Sequence, residues 1–291
     1  MKIIVIGKSG QLAWELSQLV SLEHEVVCLG RNDIDLQSIT AITECLQQQK
    51  AYGVINASAY TAVDKAEGDI DNAFALNAKA VGNLAQACKT LAVPFVHVST
   101  DFVFHGNKGV PYLPDDEINP LGIYGASKAQ GEQLITEIYP ELSCIIRTSW
   151  VYSTHGNNFV KTMLNLMRTK SELGVISDQI GSPTYAKGLA AACVASLAND
   201  VTGIHHFTDT GVASWYDFAV AIQRIGFELG LLDKKIPIKA ITTAQYPTPA
   251  KRPHYSVLDK SSLASALPKL TFSHWQTQLH TMMTTLKAEQ F

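Results

Sequence analysis

The 291-residue chain predicts an α/β protein: a Rossmann-like, doubly wound parallel sheet joined to a smaller mixed α/β substrate-binding region. Three observations carry this. Short apolar runs rich in β-branched residues, beginning with Lys2–Ile6, alternate with segments of helical spacing, as buried parallel strands and their crossover helices do. The first run passes through Gly7-Lys8-Ser9-Gly10 straight into a helical pattern. After Trp150 the character changes, with a polar, turn-rich stretch at 178–184 and a proline-rich loop at 247–253. The boundary therefore falls at 149/150. Residues 1–149 form a dinucleotide-binding domain and 150–291 mainly a substrate domain, some of whose segments are expected to return to the first sheet.

Composition narrows the function. Hydrophobic residues make up 46% and charged residues 17%, enough for a large core and too apolar for disorder. The net charge of −3 carries no basic stripe, which argues against nucleic acid as a partner. Cys28, Cys45, Cys88, Cys144 and Cys193 are scattered, with no CxxC, and read as buried thiols in a reducing compartment. The start, Met1-Lys2-Ile3, lacks the form of a signal peptide, and no apolar run approaches the ~20 residues that cross a bilayer. A cytoplasmic location without a membrane partner is expected.

In chain order, Lys2–Ile6 is the first strand. Gly7 permits a tight turn, and Gly10 lets a pyrophosphate approach the backbone. Gln11 and Leu12 open the helix, and Ala13 is small enough for close helix–sheet packing. Helical spacing runs on through Trp14, Glu15, Leu16, Leu19 and Val20, with the helix N-terminus towards the phosphates. Glu25–Leu29 is the second strand, followed by Arg31, Asp33, Asp35 and Leu36. An acid after this strand grips a ribose 2′-hydroxyl, whereas an arginine suits a 2′-phosphate. Arg31 comes first, which favours NADPH and tolerates NADH; a plain surface arginine is the alternative. Ile39–Gln49 is helical and Tyr52–Asn56 a third strand, running into Ser58, Ala59 and Thr61, small residues against which a flat ligand can lie. Asp64–Glu67 reads as a solvated helix face, and Ala73–Leu91 as one long helix. Asparagine is mildly unfavourable inside a helix, so Asn77 is expected to serve the site.

Pro94–Val98 is the next strand, ending at Ser99-Thr100-Asp101-Phe102. In a doubly wound sheet, ligands collect beyond the carboxyl ends of the strands. Gly7, Ser58, Thr100 and the helix carrying Tyr124 and Lys128 would converge there. Tyr124 and Lys128 stand four apart and share one helix face. An ammonium beside a phenol lowers the phenol's pKa from about 10 towards neutral, giving a group that can pass a proton to or from a carbonyl oxygen. Further on, Cys144–Arg147 is a strand, and Asn158 precedes a helix to about Met167. Helices are expected at 186–198 and 214–229, and strands at 203–208 and 236–241. His205 and His206 fit alternating strand positions better than a metal site. Lys161, Lys251 and Arg252 are available to a phosphorylated substrate.

Gly7-x-x-Gly10-Gln11-Leu12, the Asn56–Glu67 run, Ser99–Phe104 and Tyr124-x-x-x-Lys128 together resemble the extended short-chain dehydrogenase/reductases, and within them the reductases of dTDP-4-keto sugars. Arg147–Tyr152, Asn157–Phe159, Asp178–Thr184 and Arg252–Ser256 carry the likeness to about residue 260. The resemblance implies NADPH-dependent reduction of the C4 ketone of dTDP-4-dehydro-6-deoxy-L-mannose. Tyr124 would protonate the alkoxide, Lys128 hold the nicotinamide ribose and tune Tyr124, Thr100 bond the sugar oxygen and Asp101 orient the sugar. Trp150, Asn158 and Arg252 would contact the sugar nucleotide, as would position 102, where Phe102 replaces a frequent tyrosine. Some relatives dimerise through magnesium held by acids, so Glu15 is a candidate Mg²⁺ ligand and a homodimer a candidate assembly. A sugar-nucleotide 4-epimerase and an NADP-binding regulatory subunit without activity remain the alternatives. Phe102 argues against a 4,6-dehydratase, which needs a proton-transferring acid there.

Overall fold

The computed structural model describes residues 1–19 and 24–289. Chain order in the first half is β1 (Lys2–Ile6), α1 (Gln11–Ser17), β2 (Glu25–Leu29), α2 (Ile39–Gln48), β3 (Gly53–Asn56), α3 (Val63–Ala66), α4 (Ile70–Phe74), α5 (Ala80–Leu91), β4 (Phe95–Thr100), α6 (Ile123–Ile138) and β5 (Ser143–Thr148). The second half holds β6 (Val151–Tyr152), α7 (Phe159–Thr169), β7 (Leu173–Ile176), β8 (Ile180–Gly181), β9 (Thr184–Tyr185), α8 (Ala186–Ala198), β10 (Gly203–His206), β11 (Ala213–Ser214), α9 (Trp215–Glu228), β12 (Ile238–Ile241), α10 (Ser261–Ala266) and α11 (Trp275–Ala288).

Six strands form one parallel sheet in the order β10-β5-β4-β3-β1-β2. Alternate residues of β1 feed two cores. Ile3 and Val5 pack with Leu12 and Leu16 of α1 and Leu189 and Cys193 of α8, whereas Ile4 and Ile6 pack with α2, α5 and Ile135 of α6. Helices therefore cover both faces, which is why the strands read as continuous apolar runs. A third core gathers α7, α9 and α11 around Tyr152, Val175 and Tyr185, beneath three two-stranded pairings: β7 with β12, β8 with β11 and β6 with β9. The late segments α8 and β10 belong to the large sheet and its covering layer.

Four local features differ from expectation. α1 ends at Ser17, short of Leu19, and Val20 lies outside the described residues. The single helix expected over 73–91 is α4, a π-helical turn at Ala75–Lys79 and α5. The π turn holds Asn77, whose buried amide is drawn to partners outside the helix. Asp64 is not merely a solvated charge: its carboxylate pairs with Arg252, 188 residues away. Trp275–Ala288, for which the sequence reading gave no element, is a helix whose buried Leu279, Met282 and Met283 complete the third core. Among the described residues no helix is long and apolar enough to cross a membrane.

Candidate active site

After β1 the chain turns to β2 on one side, and β3 lies on the other. Such a switch point opens a crevice at the strands' carboxyl ends. Gly7 leaves β1 with φ +127°, a region that glycine enters without strain, and a Cβ there would stand 3.3 Å from the Ala57 carbonyl carbon. The Gly10 position faces open space. An open cleft of about 1010 Å³ runs from this turn past Gln11, Leu12, Arg31 and Leu36, across Ser58, Ala59 and Thr61, to Tyr124 and Lys128. No acid and no side-chain cap occupies the first turn of α1, so its N–H groups are open to an anion. These features suit a dinucleotide.

At the far rim Arg31 is exposed beside a paired acid. The Gly30 N–H donates to Asp33 at 2.8 Å and Lys8 reaches it at 3.3 Å, which together hold that carboxyl below the usual range. Asp35 does not line the cleft; it accepts the Gln37 N–H at 2.9 Å, while Arg31 to Ile34 and Leu36 supply the lining from this loop. Asn77 does not line it either. It clamps the backbone of Tyr60 through N–H and C=O bonds of 2.8 and 3.1 Å and donates to Ser127 at 3.0 Å. It shapes the cleft from behind.

Tyr124 opens α6, and Gly125 explains how the helix comes so close to β4. A Cβ at Gly125 would lie 2.2 Å from the Phe102 carbonyl oxygen and 2.9 Å from Pro120. The Tyr124 ring meets Phe102 edge-on, with centroids 5.5 Å apart. Thr100 accepts the Phe102 N–H at 3.2 Å and donates to Asp101 at 3.0 Å. Burial pushes the Tyr124 phenol up to about 12; the Thr100 hydroxyl pulls it down and the Asp101 carboxylate adds to the rise. Burial likewise raises Asp101 to about 6 against hydrogen bonds from Ser256 and Thr100.

Lys128 is almost wholly buried, and burial pulls it down to about 8, with Glu132 acting the other way. Its ammonium does not acidify the phenol here, contrary to the expectation from spacing. Nζ donates to the Val98 carbonyl at 2.7 Å and lies 3.0 Å from His97 Nε2. His97 Nδ1 in turn meets Asn56 at 3.0 Å. Neither His97 nor the side-chain role of Asn56 is visible in the sequence. A histidine inside a strand gives no signal, and only the sheet register, Asn56 opposite His97, brings the two together.

From the later segments Val151, Gly156 and Asn157 line the cleft, and Trp150, Asn158 and Arg252 do not. Trp150 has φ +50° and stacks on Trp215 at 3.6 Å. Asn158 caps α7 by accepting the Lys161 N–H, and donates to Gln11 at 3.0 Å and to the Ser153 carbonyl at 2.7 Å. The Lys161 ammonium donates to the Thr154 carbonyl at 3.0 Å. Arg252 forms two bonds, of 3.0 and 2.8 Å, to Asp64. The bonds of Asn158, Lys161 and Arg252 thus go to the protein itself. Glu15 is buried and accepts from Ser153 at 2.7 Å; burial raises its pKa, while Lys187 and Glu289 act on it in opposite directions. Among the described residues no three His, Cys, Asp or Glu side chains gather as a metal site.

Known proteins share this architecture along its whole length. A dTDP-4-dehydrorhamnose reductase from Aggregatibacter actinomycetemcomitans is 39% identical over 286 residues, covering 96% of this chain and 97% of that protein. A crystal structure of a dTDP-4-dehydrorhamnose reductase from Clostridium acetobutylicum superposes with a TM-score of 0.91 at 37% identity, covering 99% of this chain and all of that one. The Bacillus anthracis dTDP-4-dehydrorhamnose reductase, solved in complex with NADP, superposes at 0.90 with 32% identity over 98% of this chain and 99% of that one. The profile of the RmlD substrate binding domain matches residues 1–288, and the chain belongs to that family.

Proposed function

We propose that the chain is an NADPH-dependent reductase that converts the C4 ketone of dTDP-4-dehydro-6-deoxy-L-mannose (dTDP-4-dehydro-L-rhamnose) to the alcohol of dTDP-L-rhamnose, the last step in making that sugar donor for cell-surface polysaccharide. One observation carries the reading: the phenol of Tyr124, with Lys128 one turn along the same helix, lines the end of a cleft that suits a dinucleotide. Bound NADPH supplies the hydride equivalent to the ketone carbon. Thr100 donates to the ketone oxygen and Tyr124 delivers the proton. A phenol near 12 is the right donor. It stays protonated at neutral pH, yet it is more acidic than an aliphatic alcohol, which resembles water in acidity. In the free protein the Thr100 hydroxyl donates to Asp101, and it turns that one hydrogen to the ketone oxygen when substrate binds; Arg31 is the group for the 2′-phosphate. Trp150, stacked on Trp215, offers a flat apolar face to the sugar nucleotide, and Asn158 and Arg252 hold the surrounding segments in place. The protein acts in the cytoplasm.

The test is NADPH oxidation with a small panel of dTDP-4-keto sugars. One NADPH consumed per ketone reduced is expected. Binding of cofactor without net oxidation of any ketosugar would remove the reductase reading, in favour of an epimerase that recycles its cofactor or of a regulatory subunit.

A further inference from the structure

A row of buried polar groups runs from the cleft wall into the sheet through Ser58, Asn56, His97 and Lys128. Its hydrogens can be assigned from one end. The Ser58 backbone N–H is an obligatory donor and meets one Asn56 atom at 3.0 Å; the Ser58 hydroxyl meets the same atom at 2.7 Å. That atom is the amide oxygen, so the Asn56 NH₂ points at His97 Nδ1, 3.0 Å away. Nδ1 therefore carries a lone pair. His97 is fully buried, and burial keeps it neutral, so its proton sits on Nε2. This N–H faces Lys128 Nζ at 3.0 Å. Two donors cannot share one hydrogen bond. In this arrangement Nζ offers a lone pair, as an amine does, while one of its hydrogens goes to the Val98 carbonyl.

The charges around Lys128 permit that state. Glu132, one turn along α6, favours the ammonium, but it is spent on a buried pair with Arg147 of β5 at 2.7 Å. Tyr124, one turn back, is neutral, and Asp101 acts on that phenol. Burial opposes the ammonium.

We propose that His97 is a positioning residue which favours the uncharged amine of Lys128 against β4, and that in mildly alkaline solution cofactor binding releases it to take up one proton from solvent. The inference rests on the reading of the cleft as an NADP(H) site. An acceptor oxygen on the ligand replaces the His97 N–H as partner of Nζ, and a new Nζ–H bond forms with a proton from buffer. The charge that acidifies Tyr124 thus arrives only with the cofactor.

The sign and the window follow. Free, Lys128 loses its proton above about 8; bound, it returns towards the ordinary lysine value of about 10.4. NADP⁺ binding to the full chain is measured by calorimetry in buffers of different ionisation enthalpy, which counts protons independently of turnover. Uptake close to one proton per site is expected at about pH 9, falling towards none at about pH 6. His97→Met, which removes the donor, should at least halve the uptake. His97→Gln, whose amide can repeat the acceptor-then-donor order, should keep it. Should His97→Met not fold, Asn56→Asp serves: its carboxylate draws the ring proton to Nδ1, Nε2 becomes an acceptor for the ammonium, and the uptake disappears. NADP⁺ binding without proton uptake, or equal uptake in wild type and His97→Met, overturns the role of His97 alone. No binding of NADP⁺ at all overturns the cofactor reading beneath it as well.

Discussion

The two walls of the cleft are made in different ways. The wall formed by the large sheet uses backbone and near neighbours: a glycine turn after β1, small residues after β3, and a tyrosine and lysine one turn apart on α6. The opposite wall, lined by Val151, Gly156 and Asn157, is held from behind by ties across the chain. Asn158 reaches Gln11, 147 residues away, and Arg252 reaches Asp64. The first kind of wall positions reacting groups by the register of strands. The second kind fixes how the substrate region sits on the first, using side chains that would otherwise look like ligand contacts.

Substitutions can break or sharpen that contrast. The largest effect belongs to the sheet wall: Tyr124→Phe should lower kcat by roughly 10²–10⁴ while NADPH still binds, as read by steady-state oxidation and a cofactor fluorescence titration. Near-normal turnover would place the proton donor elsewhere. Next comes Gly125→Ala, whose added carbon must displace α6 from the Phe102 carbonyl. A shift of about 1 Å in the phenol should cost on the order of 10² in kcat with little change in the KM for NADPH; an unchanged kcat would mean that the close approach is dispensable. On the tied wall, Asn158→Ala removes a helix cap worth about 1 kcal/mol together with the bond to Gln11. Thermal melts should show that loss, and KM should rise for both cofactor and sugar nucleotide. A rise for the sugar alone would make Asn158 a substrate contact rather than a tie. The smallest effect is at the rim: Arg31→Ala should raise the KM for NADPH several-fold and leave that for NADH unchanged, and equal changes would refute the 2′-phosphate role.

The same contrast explains what could be read from the sequence. Strand runs such as Lys2–Ile6 and the Tyr124–Lys128 spacing are local patterns with a local cause, and the structure places them at the cleft. The helix at 186–198 is likewise legible, being a run of alanines and leucines. Asn77 was half legible: its awkward place in a helix was noticed, but its partners, Tyr60 and Ser127, made it a clamp behind the cleft. The Asp64–Arg252 pair and the Asn56–His97–Lys128 row left no trace in spacing, because the sheet, and not the sequence interval, sets those distances. The acidity of Tyr124 was misjudged for a related reason: four residues bring an ammonium to the same face, but burial and the Val98 carbonyl decide where it points.

The return of α8 and β10 to the large sheet has a practical outcome. β10 protects the edge of β5, and α8 roofs Ile3, Val5 and Ile55. A fragment stopped at Ser149 would leave that edge and that apolar surface open to water, and such surfaces invite self-association. The protein therefore cannot be dissected into two working halves at the point where its sequence changes character. Chimeras meant to retune which sugar is accepted should exchange inserts between β6 and β9, or between β11 and α10, and leave the recrossing helix and strand untouched.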